Sequence, residues 1–408
     1  MRLTHLQLTD FRSYDAATVT FGPGVTTLVG RNGQGKTNVV EAVRYLSTLS
    51  SHRVASDAPL IKFGAARAVI GARVDKGGRS LSLEVTLLPG KANSARLNRG
   101  AARPRDLIGI VRTVVFAPED LALVKGDPGG RRTFMDELCV ALQPPLSGDL
   151  ADYDHVLRQR SSMLKTARNA RGDLTMLDIW DEKLAELGGR IVAARRRAVA
   201  SLAPFVWSAY ADVAPDGGDC QVKYSTSLDR SEGRNAEDVE PLAADASAAV
   251  IAERLLDRLR ELRNKEIERG VTLAGPHRDD LEIRLGEMPA KGYASHGESW
   301  SCALALRLGS YDLLTADDGP DSGDDGEPIL ILDDVFAELD SGRRAALAAR
   351  LVDASQVLIT AAVAEDVPQA LSGEVIRVAA GFIEQPDSPA PGQESTPDSP
   401  DGSADTDD

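Results

Sequence analysis

The segment from Gly30 to Thr37, which reads Gly-Arg-Asn-Gly-Gln-Gly-Lys-Thr, constrains the fold of this 408-residue chain more than any other feature. It follows an apolar run, Val25 to Val29, and precedes apolar residues at helical spacing: Val39, Val40, Val43 and Leu46. A strand, a glycine-rich turn and a helix in this order cradle phosphates with backbone N–H groups at a helix N-terminus. The segment therefore predicts a phosphate loop in an α/β fold, and a glycine-rich turn that binds nothing is the alternative.

A phosphate loop gives its residues distinct tasks. Lys36 is expected to contact the β- and γ-phosphates of ATP as a catalytic residue, and Thr37 to bind Mg²⁺. The other residues predicted to contact the nucleotide are Gly30, Arg31, Asn32, Gly33, Gln34, Gly35 and Asn38. ATP and Mg²⁺ are therefore the predicted cofactors.

A second segment far downstream supplies the acidic groups that ATP hydrolysis needs. The apolar run Ile329 to Leu332 ends in Asp333 and Asp334. Ligands gather at the carboxyl ends of strands in open α/β sheets, so Asp333 is predicted to hold Mg²⁺ and Asp334 to orient or deprotonate the attacking water. Alone, this segment would more often be a solvated strand end. Its combination with the phosphate loop favours the functional interpretation.

The pattern of apolar residues divides the chain into a head and an insertion. An ATPase head is predicted at 1–117 and 270–385, where alternating segments indicate an antiparallel sheet beside a parallel one. A mainly helical lid or arm is predicted at 118–269, with helices at Thr133–Leu142, Leu150–Arg168, Met176–Tyr210 and Ala248–Arg269. We expect the third helix to be interrupted at Gly188-Gly189 and residues 221–225 to form an isolated strand.

The remaining composition indicates an unexported protein. No stretch reaches 18 uninterrupted apolar residues, so a cytoplasmic protein without a membrane partner is predicted. Residues 386–408 are rich in Pro, Asp, Ser and Gly and are predicted to form a disordered acidic tail. Three cysteines without metal-ligand spacing are expected to be reduced, buried thiols: Cys139, Cys220 and Cys302.

The net charge of −15 is distributed unevenly. Residues 386–408 hold seven acidic residues and no basic one, and residues 316–327 hold six acidic residues. Residues 1–115 contain 17 Lys/Arg against 7 Asp/Glu, with a close group formed by Arg96, Arg99, Arg103 and Arg105. A basic N-terminal lobe that binds DNA is therefore compatible with the acidic composition. The alternative is a set of scattered, solvated arginines.

Four further segments carry a family resemblance. They are Leu8-Thr9-Asp10-Phe11-Arg12-Ser13-Tyr14, Phe116 to Gly126, Arg131-Arg132-Thr133-Phe134-Met135-Asp136, and Gly275-Pro276-His277-Arg278-Asp279-Asp280-Leu281. With the phosphate loop, they make the chain resemble the RecF family of bacterial recombinational repair proteins, from residue 1 to about 380. This family belongs to the ABC-type ATPases and is related to SMC heads. The resemblance implies an ABC-type ATPase head with mixed parallel and antiparallel sheets.

The resemblance also implies an ATP-dependent homodimer. ABC heads carry a Ser-Gly-Gly-Gln-like segment that reaches the ATP bound to a second subunit, and Ser295-His296-Gly297-Glu298 stands in its place, which assigns Ser295 and Gly297 to nucleotide contact. By itself this tetrapeptide favours an ordinary helix cap.

Other positions match the family with alternatives left open. Arg12 matches an arginine near the nucleotide, or is a solvated charge, and Asp340 matches a loop that meets the partner subunit, or is a helix cap. Glu119 or Asp120 lies near the expected Gln-loop position. His277 and Arg278 either contact nucleotide or DNA, or fix the turn after Pro276.

The function implied by the resemblance is ATP-dependent DNA binding in recombinational repair and replication restart. ATP would pair two heads that clamp duplex DNA at single-strand gaps, and slow hydrolysis would release it, with RecR and RecO helping to place RecA. Asp334 replaces a glutamate common in ABC ATPases, and Thr360-Ala361-Ala362 lacks a switch histidine, so a weak, DNA-stimulated ATPase is expected. The alternatives are the ATPase subunit of a membrane transporter and an SMC-like chromosome structural ATPase.

Overall fold

The computed structural model describes residues 1–169, 175–229, 241–317 and 326–384. Within these ranges the chain forms fifteen β-strands and nine α-helices. The strands are β1 (Arg2–Phe11), β2 (Tyr14–Thr20), β3 (Gly24–Val29), β4 (Ala68–Lys76), β5 (Arg79–Leu87), β6 (Ser94–Leu97), β7 (Gly100–Ala102), β8 (Thr113–Phe116), β9 (Cys220–Ser225), β10 (Asp280–Leu285), β11 (Met288–Pro289), β12 (Ile329–Asp333), β13 (Gln356–Ala361), β14 (Glu374–Ala379) and β15 (Phe382–Glu384). The helices are α1 (Lys36–Thr48), α2 (Leu121–Lys125), α3 (Pro128–Leu142), α4 (Leu146–Asn169), α5 (Thr175–Val213), α6 (Ala248–Arg269), α7 (Ala290–Tyr293), α8 (His296–Thr315) and α9 (Ser341–Leu351).

The central sheet has the strand order β15-β14-β3-β13-β12-β8, in which β15 is antiparallel and the other strands are parallel. Side chains of β12 alternate between two hydrophobic cores. Ile329 and Ile331 pack with α1 and an antiparallel sheet, whereas Leu330 and Leu332 pack with α8 and the helical insertion. Because both faces of this sheet are covered, the strand is an uninterrupted apolar run.

The antiparallel sheet has the order β2-β1-β4-β5-β6-β7 and shares its core with α1. A third, smaller sheet has the order β11-β10-β9. The predicted α/β fold with mixed parallel and antiparallel sheets is therefore confirmed.

The long helix α5 passes through Gly188-Gly189 without a break, so the predicted interruption is wrong. A Cβ atom on Gly188 would lie 2.5 Å from Leu255 Cδ2, and one on Gly189 would lie 2.4 Å from the Ala248 carbonyl oxygen. These glycines allow α6 to approach α5 closely. Packing between the two helices thus offsets the low helix propensity of glycine, about 1 kcal/mol per residue.

The sequence predicted an isolated strand at 221–225, and this prediction is wrong. Strand β9 pairs antiparallel with β10 along its whole length. The pairing joins the helical insertion to the segment that follows it. The division of the chain into a head, 1–117 with 270–385, and an insertion, 118–269, stays a prediction. The predicted acidic tail at 386–408 lies outside the described residues.

A buried ionic cluster ties α4, α5 and α6 together. The fully buried Arg160 guanidinium donates to Asp181 at 2.6 Å, to Glu266 at 2.6 Å and to the Thr272 hydroxyl at 2.9 Å. Arg263 adds a second bond to Asp181 at 2.7 Å. Because the cluster joins residues of three helices to the segment after α6, it fixes their mutual packing.

The three cysteines are free and buried, and burial is the environment predicted for them. The sulfur atoms of Cys220 and Cys302 lie 3.7 Å apart across the β9–α8 contact. Among the residues that the structure describes, no helix combines the length and apolarity needed to cross a membrane.

Candidate nucleotide site

The phosphate loop connects β3 to α1 in the predicted order of strand, turn and helix. Gly33 and Gly35 have positive φ angles of 82° and 112°, which glycine adopts without steric cost. A Cβ atom on Gly35 would lie 2.8 Å from the Tyr14 hydroxyl, which itself donates to the Gly35 carbonyl at 3.1 Å. A Cβ atom on Gly30 would lie 2.1 Å from the Val378 carbonyl oxygen. The loop conformation therefore requires glycine at these positions.

Lys36 is buried beneath the loop and bridges its first carbonyls. Its Nζ donates to Gly30 O at 2.7 Å and to Arg31 O at 3.4 Å. The ammonium is therefore held against the loop backbone. From this place it can exchange carbonyl oxygens for phosphate oxygens, because an ammonium has three donors and no acceptor.

The side chain of Gln34 supports the loop from the other side. The side-chain Oε1 of Gln34 accepts a hydrogen bond from Ala380 N, and the backbone carbonyl of Gln34 accepts one from Gly381 N at 3.3 Å. The turn between β14 and β15 is thereby fastened to the phosphate loop. Arg31 and Asn32 are exposed, and Asn38 Nδ2 donates to Ser13 Oγ at 2.9 Å. Within this set, Gln34 and Asn38 therefore direct their side chains to protein partners.

The two halves of the predicted site meet at the carboxyl ends of β3 and β12, which lie on either side of β13 in the central sheet. Thr37 Oγ1 donates to Asp333 Oδ1 at 2.9 Å, and Thr360 Oγ1 donates to the same atom at 2.7 Å. Burial raises the pKa of Asp333 to about 6, against the lowering effect of these two hydrogen bonds. A hydroxyl and a carboxylate that converge in this way form the hard oxygen donor set that Mg²⁺ prefers, so Thr37 and Asp333 fit the ion.

Asp334 lies beside this pair in a strained conformation. Its backbone is left-handed, with φ 51° and ψ 20°, and its N–H donates to Thr360 Oγ1 at 2.9 Å. Its half-buried carboxylate has no hydrogen-bond partner among the described residues. A carboxylate left free at a strand end is suited to accept a hydrogen bond from water.

The two acidic residues of the segment after β8, Glu119 and Asp120, lie in different environments. Asp120 is buried, accepts two hydrogen bonds from Arg307 at 2.6 and 3.0 Å, and accepts one from Ala117 N at 2.9 Å. Glu119 is exposed and lies close enough to Asp333 for its negative charge to raise the pKa of Asp333 further. Glu119 is therefore the residue of this turn available to the site.

Arg12 contacts α1 rather than solvent. Its Nε and Nη2 form a bidentate pair with the buried Glu41 at 2.9 and 2.6 Å, and its Nη1 donates to Pro59 O at 3.0 Å. Burial would raise the pKa of Glu41, but hydrogen bonds from Arg12 and Ser51 outweigh it and lower the pKa overall. The solvated-charge alternative for Arg12 is therefore wrong. Its role toward the nucleotide stays a prediction.

Ser295 and Asp340 both cap helices, and they share a neighbour. Ser295 Oγ accepts from Glu298 N at 3.3 Å while the Glu298 carboxylate accepts from Ser295 N at 2.8 Å, a reciprocal capping box. Asp340 accepts from Arg343 N at 2.9 Å, and the Arg343 guanidinium lies against Gly297. The two predicted partner-facing segments thus adjoin one another, and both remain exposed. Their contact with nucleotide on a second copy stays a prediction.

His277 and Arg278 fix the turn after Pro276. His277 Nδ1 lies 2.7 Å from the Tyr153 hydroxyl, and its Nε2 lies 3.2 Å from Thr272 O. Arg278 Nε donates to the same carbonyl at 3.0 Å. Burial lowers the pKa of His277 to about 4, so the ring is neutral near pH 7. These contacts support the structural alternative for both residues.

The predicted arginine group lies along one edge of the antiparallel sheet. Arg96 is on β6, Arg99 is in the β6–β7 turn, and Arg103 and Arg105 follow β7. The Arg96 and Arg103 side chains are 64% and 67% exposed, although Glu84 and Asp106 lie 3.9 and 2.9 Å away. We call these four residues the arginine edge. Their shared location disfavours the alternative of scattered charges.

Three residues of the site carried no functional signal in the sequence. Thr360 contacts both aspartates, Glu41 orders Arg12, and His52 places its Nε2 4.0 Å from Asp333 Oδ2. Burial lowers the pKa of His52 to about 4, and the nearby positive charge of Arg44 adds to this. Strand register brings Thr360 to the site, the turns of α1 place Glu41 against Arg12, and the path of the chain after α1 brings His52 to Asp333.

With its phosphate loop and aspartate pair at the end of a two-sided central sheet, the chain is an ABC-type ATPase head. Residues 2–381 match the family model described as the RecF/RecN/SMC N terminal domain. The chain is 52% identical over 392 residues to the "DNA replication and repair protein RecF" of Streptomyces avermitilis, covering 94% of this chain and 100% of the relative. It is 53% identical over 389 residues to the protein of the same name in Kineococcus radiotolerans, covering 92% and 96%. The chain belongs to the RecF family.

Solved structures agree with this assignment. A structure of "the recombination mediator protein RecF-ATP in RecFOR pathway" matches with a TM-score of 0.82 and 26% identity, covering 94% of this chain and 96% of the other. An SMC head bound to the C-winged helix domain of ScpA matches with a TM-score of 0.51 and 16% identity, covering 94% and 96%. The SMC match supports the fold alone.

Proposed function

We propose that this chain is an ATP-binding protein of DNA replication and repair. The observation that carries the proposal is the convergence of Thr37 and Asp333 beside the phosphate loop in a chain 52% identical to a replication and repair protein. The solved RecF structure with ATP supports nucleotide binding by the same fold. The proposal also places the protein in the cytoplasm.

The residues of the site divide the work on ATP. Backbone N–H groups of the loop and the Lys36 ammonium bind the phosphates, while Thr37 and Asp333 would hold Mg²⁺, which neutralises phosphate charge when bound. Asp334 orients the attacking water and accepts its proton. Because an aspartate is one methylene shorter than a glutamate, it positions this water less closely. Hydrolysis is therefore slow, and the protein is a switch with weak, DNA-stimulated ATPase activity.

The exposed capping segment supports the proposal that ATP joins two copies. Backbone N–H groups and a serine hydroxyl at the N-terminus of α8 suit a γ-phosphate, and Ser295 and Asp340 adjoin one another on the surface. The ATP-bound dimer clamps duplex DNA at single-strand gaps, and hydrolysis releases it. In this pathway the protein acts with RecR and RecO to promote the loading of RecA, in keeping with the RecFOR pathway named for the solved relative.

Dimerisation should depend on Ser295. We expect wild type with ATP and Mg²⁺ to reach twice the 43.4 kDa mass of one chain in light scattering, and to bind gapped duplex DNA more tightly than with ADP. Ser295→Arg should stay monomeric, because an arginine would project from the exposed α8 N-terminus into the partner's phosphate site.

The matched control is Ser247→Arg, which places the same side chain at the exposed N-cap of α6. It should dimerise like wild type. A wild-type chain that stays monomeric with ATP and binds DNA equally in ATP and ADP would contradict the clamp.

DNA affinity should depend on the arginine edge. The double variant Arg96→Ala/Arg103→Ala should lower the slope of log affinity against log salt by about 2, roughly 0.9 for each lost phosphate contact. The control, Arg190→Ala/Arg260→Ala, removes two exposed, ion-paired arginines from the helical insertion and should leave the slope unchanged. Fluorescence anisotropy with duplex DNA at several salt concentrations measures both slopes. Equal slopes in the two variants would reject the arginine edge as the DNA contact.

A further inference from the structure

The loop after α1 is fastened to that helix on both sides of His52. Ser51 Oγ donates to Glu41 and accepts hydrogen bonds from Arg53 N at 3.0 Å and Val54 N at 3.3 Å. The Arg53 guanidinium lies 3.6 Å from Glu41 and 3.3 Å from Asn38 Oδ1. The contacts of Ser51 and Arg53 with α1 therefore fix the position of His52 between them.

His52 differs from an ordinary core histidine. Its side chain is only 10% exposed, and both ring nitrogens are buried without a hydrogen-bond partner among the described residues. Buried polar groups are nearly always hydrogen-bonded, as both ring nitrogens of His277 are. Core packing alone therefore does not explain a histidine at position 52.

Asp333 of the nucleotide site lies close to these nitrogens. Asp333 Oδ1 is occupied by Thr37 and Thr360, whereas Oδ2 lies 4.0 Å from His52 Nε2. This separation is too long for a direct hydrogen bond, but one water molecule can bridge it. His52 Nε2 and Asp333 Oδ2 therefore have the separation of two groups that can share one bridging water.

We propose that His52 is a positioning residue that hydrogen-bonds a water held by Asp333 when Mg²⁺ and nucleotide are bound. The inference rests on the proposed function, because it assigns a partner to Asp333 in the same site. The neutral ring can donate through one nitrogen and accept through the other. Its effect is on the binding of the magnesium–nucleotide complex rather than on nucleotide binding without the ion.

Titration of the full-length chain with a fluorescent ATP analogue, in Mg²⁺ and in EDTA, tests this inference. The magnesium gain is the ratio of the nucleotide affinity in Mg²⁺ to the nucleotide affinity in EDTA. In His52→Leu this gain should fall roughly five- to tenfold, which is the effect of one lost hydrogen bond. The affinity in EDTA should be unchanged. His52→Gln keeps a polar atom near the Nε2 position and should retain most of the gain. His277→Leu is the structural control, because it should lower the Tm without changing the gain.

Two results would overturn the inference. One is a wild-type magnesium gain in His52→Leu, and the other is an equal loss of affinity in Mg²⁺ and EDTA. If the leucine variant does not fold, His52→Gln and His52→Asn replace it, provided that both have the Tm of wild type. An equal loss of the magnesium gain in these two variants would also reject the inference. The proposed function would fail separately, in the wild-type titration itself, if the chain bound no nucleotide.

Discussion

Lys36→Ala should lower the affinity for ATP by about 100-fold, equivalent to about 2.7 kcal/mol. Among the described residues, Lys36 supplies the only buried ammonium held against the phosphate loop. The alanine variant removes this ammonium and the charge-assisted hydrogen bonds that we expect it to form with the phosphates. Isothermal titration calorimetry with ATP and Mg²⁺ measures the change. Lys183→Ala, which removes an exposed lysine of α5, should bind ATP like wild type.

The companion variant Asp334→Asn separates binding from chemistry. It should keep ATP affinity within about threefold while slowing turnover roughly 100-fold, because an amide does not accept the proton of the attacking water. A phosphate-release assay at saturating ATP measures turnover. Full hydrolysis by both Lys36→Ala and Asp334→Asn would reject the site.

Arg160→Ala should destabilise the helical insertion by about 3–5 kcal/mol, since it leaves the buried carboxylates of Asp181 and Glu266 without their shared cation. The guanidinium is fully buried and also donates to Thr272, so its removal takes a donor from three buried acceptors. Because a chain of this size need not unfold in one step, hydrogen exchange of α4, α5 and α6 is the appropriate measurement.

Arg190→Ala provides the matched control for this change. Arg190 also contacts two acidic residues, Asp149 at 3.0 Å and Glu186 at 2.6 Å, but its side chain is 47% exposed. Its loss should cost less than about 1 kcal/mol. Equal protection of the three helices in the Arg160 and Arg190 variants would show that the buried cluster does not hold the insertion together.

The parts of the fold that could be predicted from sequence follow local rules. Glycines that permit positive φ and a lysine at fixed spacing identify the phosphate loop, and an apolar run ending in Asp333 identifies a buried parallel strand. These features depend on a few neighbouring residues. The resemblance to the RecF family predicted the overall arrangement of the head. Membership of the family is confirmed by 52% identity to a relative over 94% of this chain.

The parts that could not be predicted depend on contacts between distant segments. Gly188-Gly189 is read locally as a helix break, but the close approach of α6 keeps α5 continuous. The pairing of β9 with β10 and the contact of Thr360 with Asp333 come from strand register. His52 has no neighbouring residue that marks it, because the fold of its loop alone brings it to Asp333.

The fastening of the β14–β15 turn to Gln34 has a consequence for biosynthesis. The phosphate loop is synthesised before Asp333, Thr360 and Ala380, which complete or support the site around it. A nascent or prematurely terminated chain therefore carries the loop sequence without the strands that complete and support it. The loop therefore gains the contacts of Asp333 and of the β14–β15 turn only after residues up to Ala380 have been synthesised.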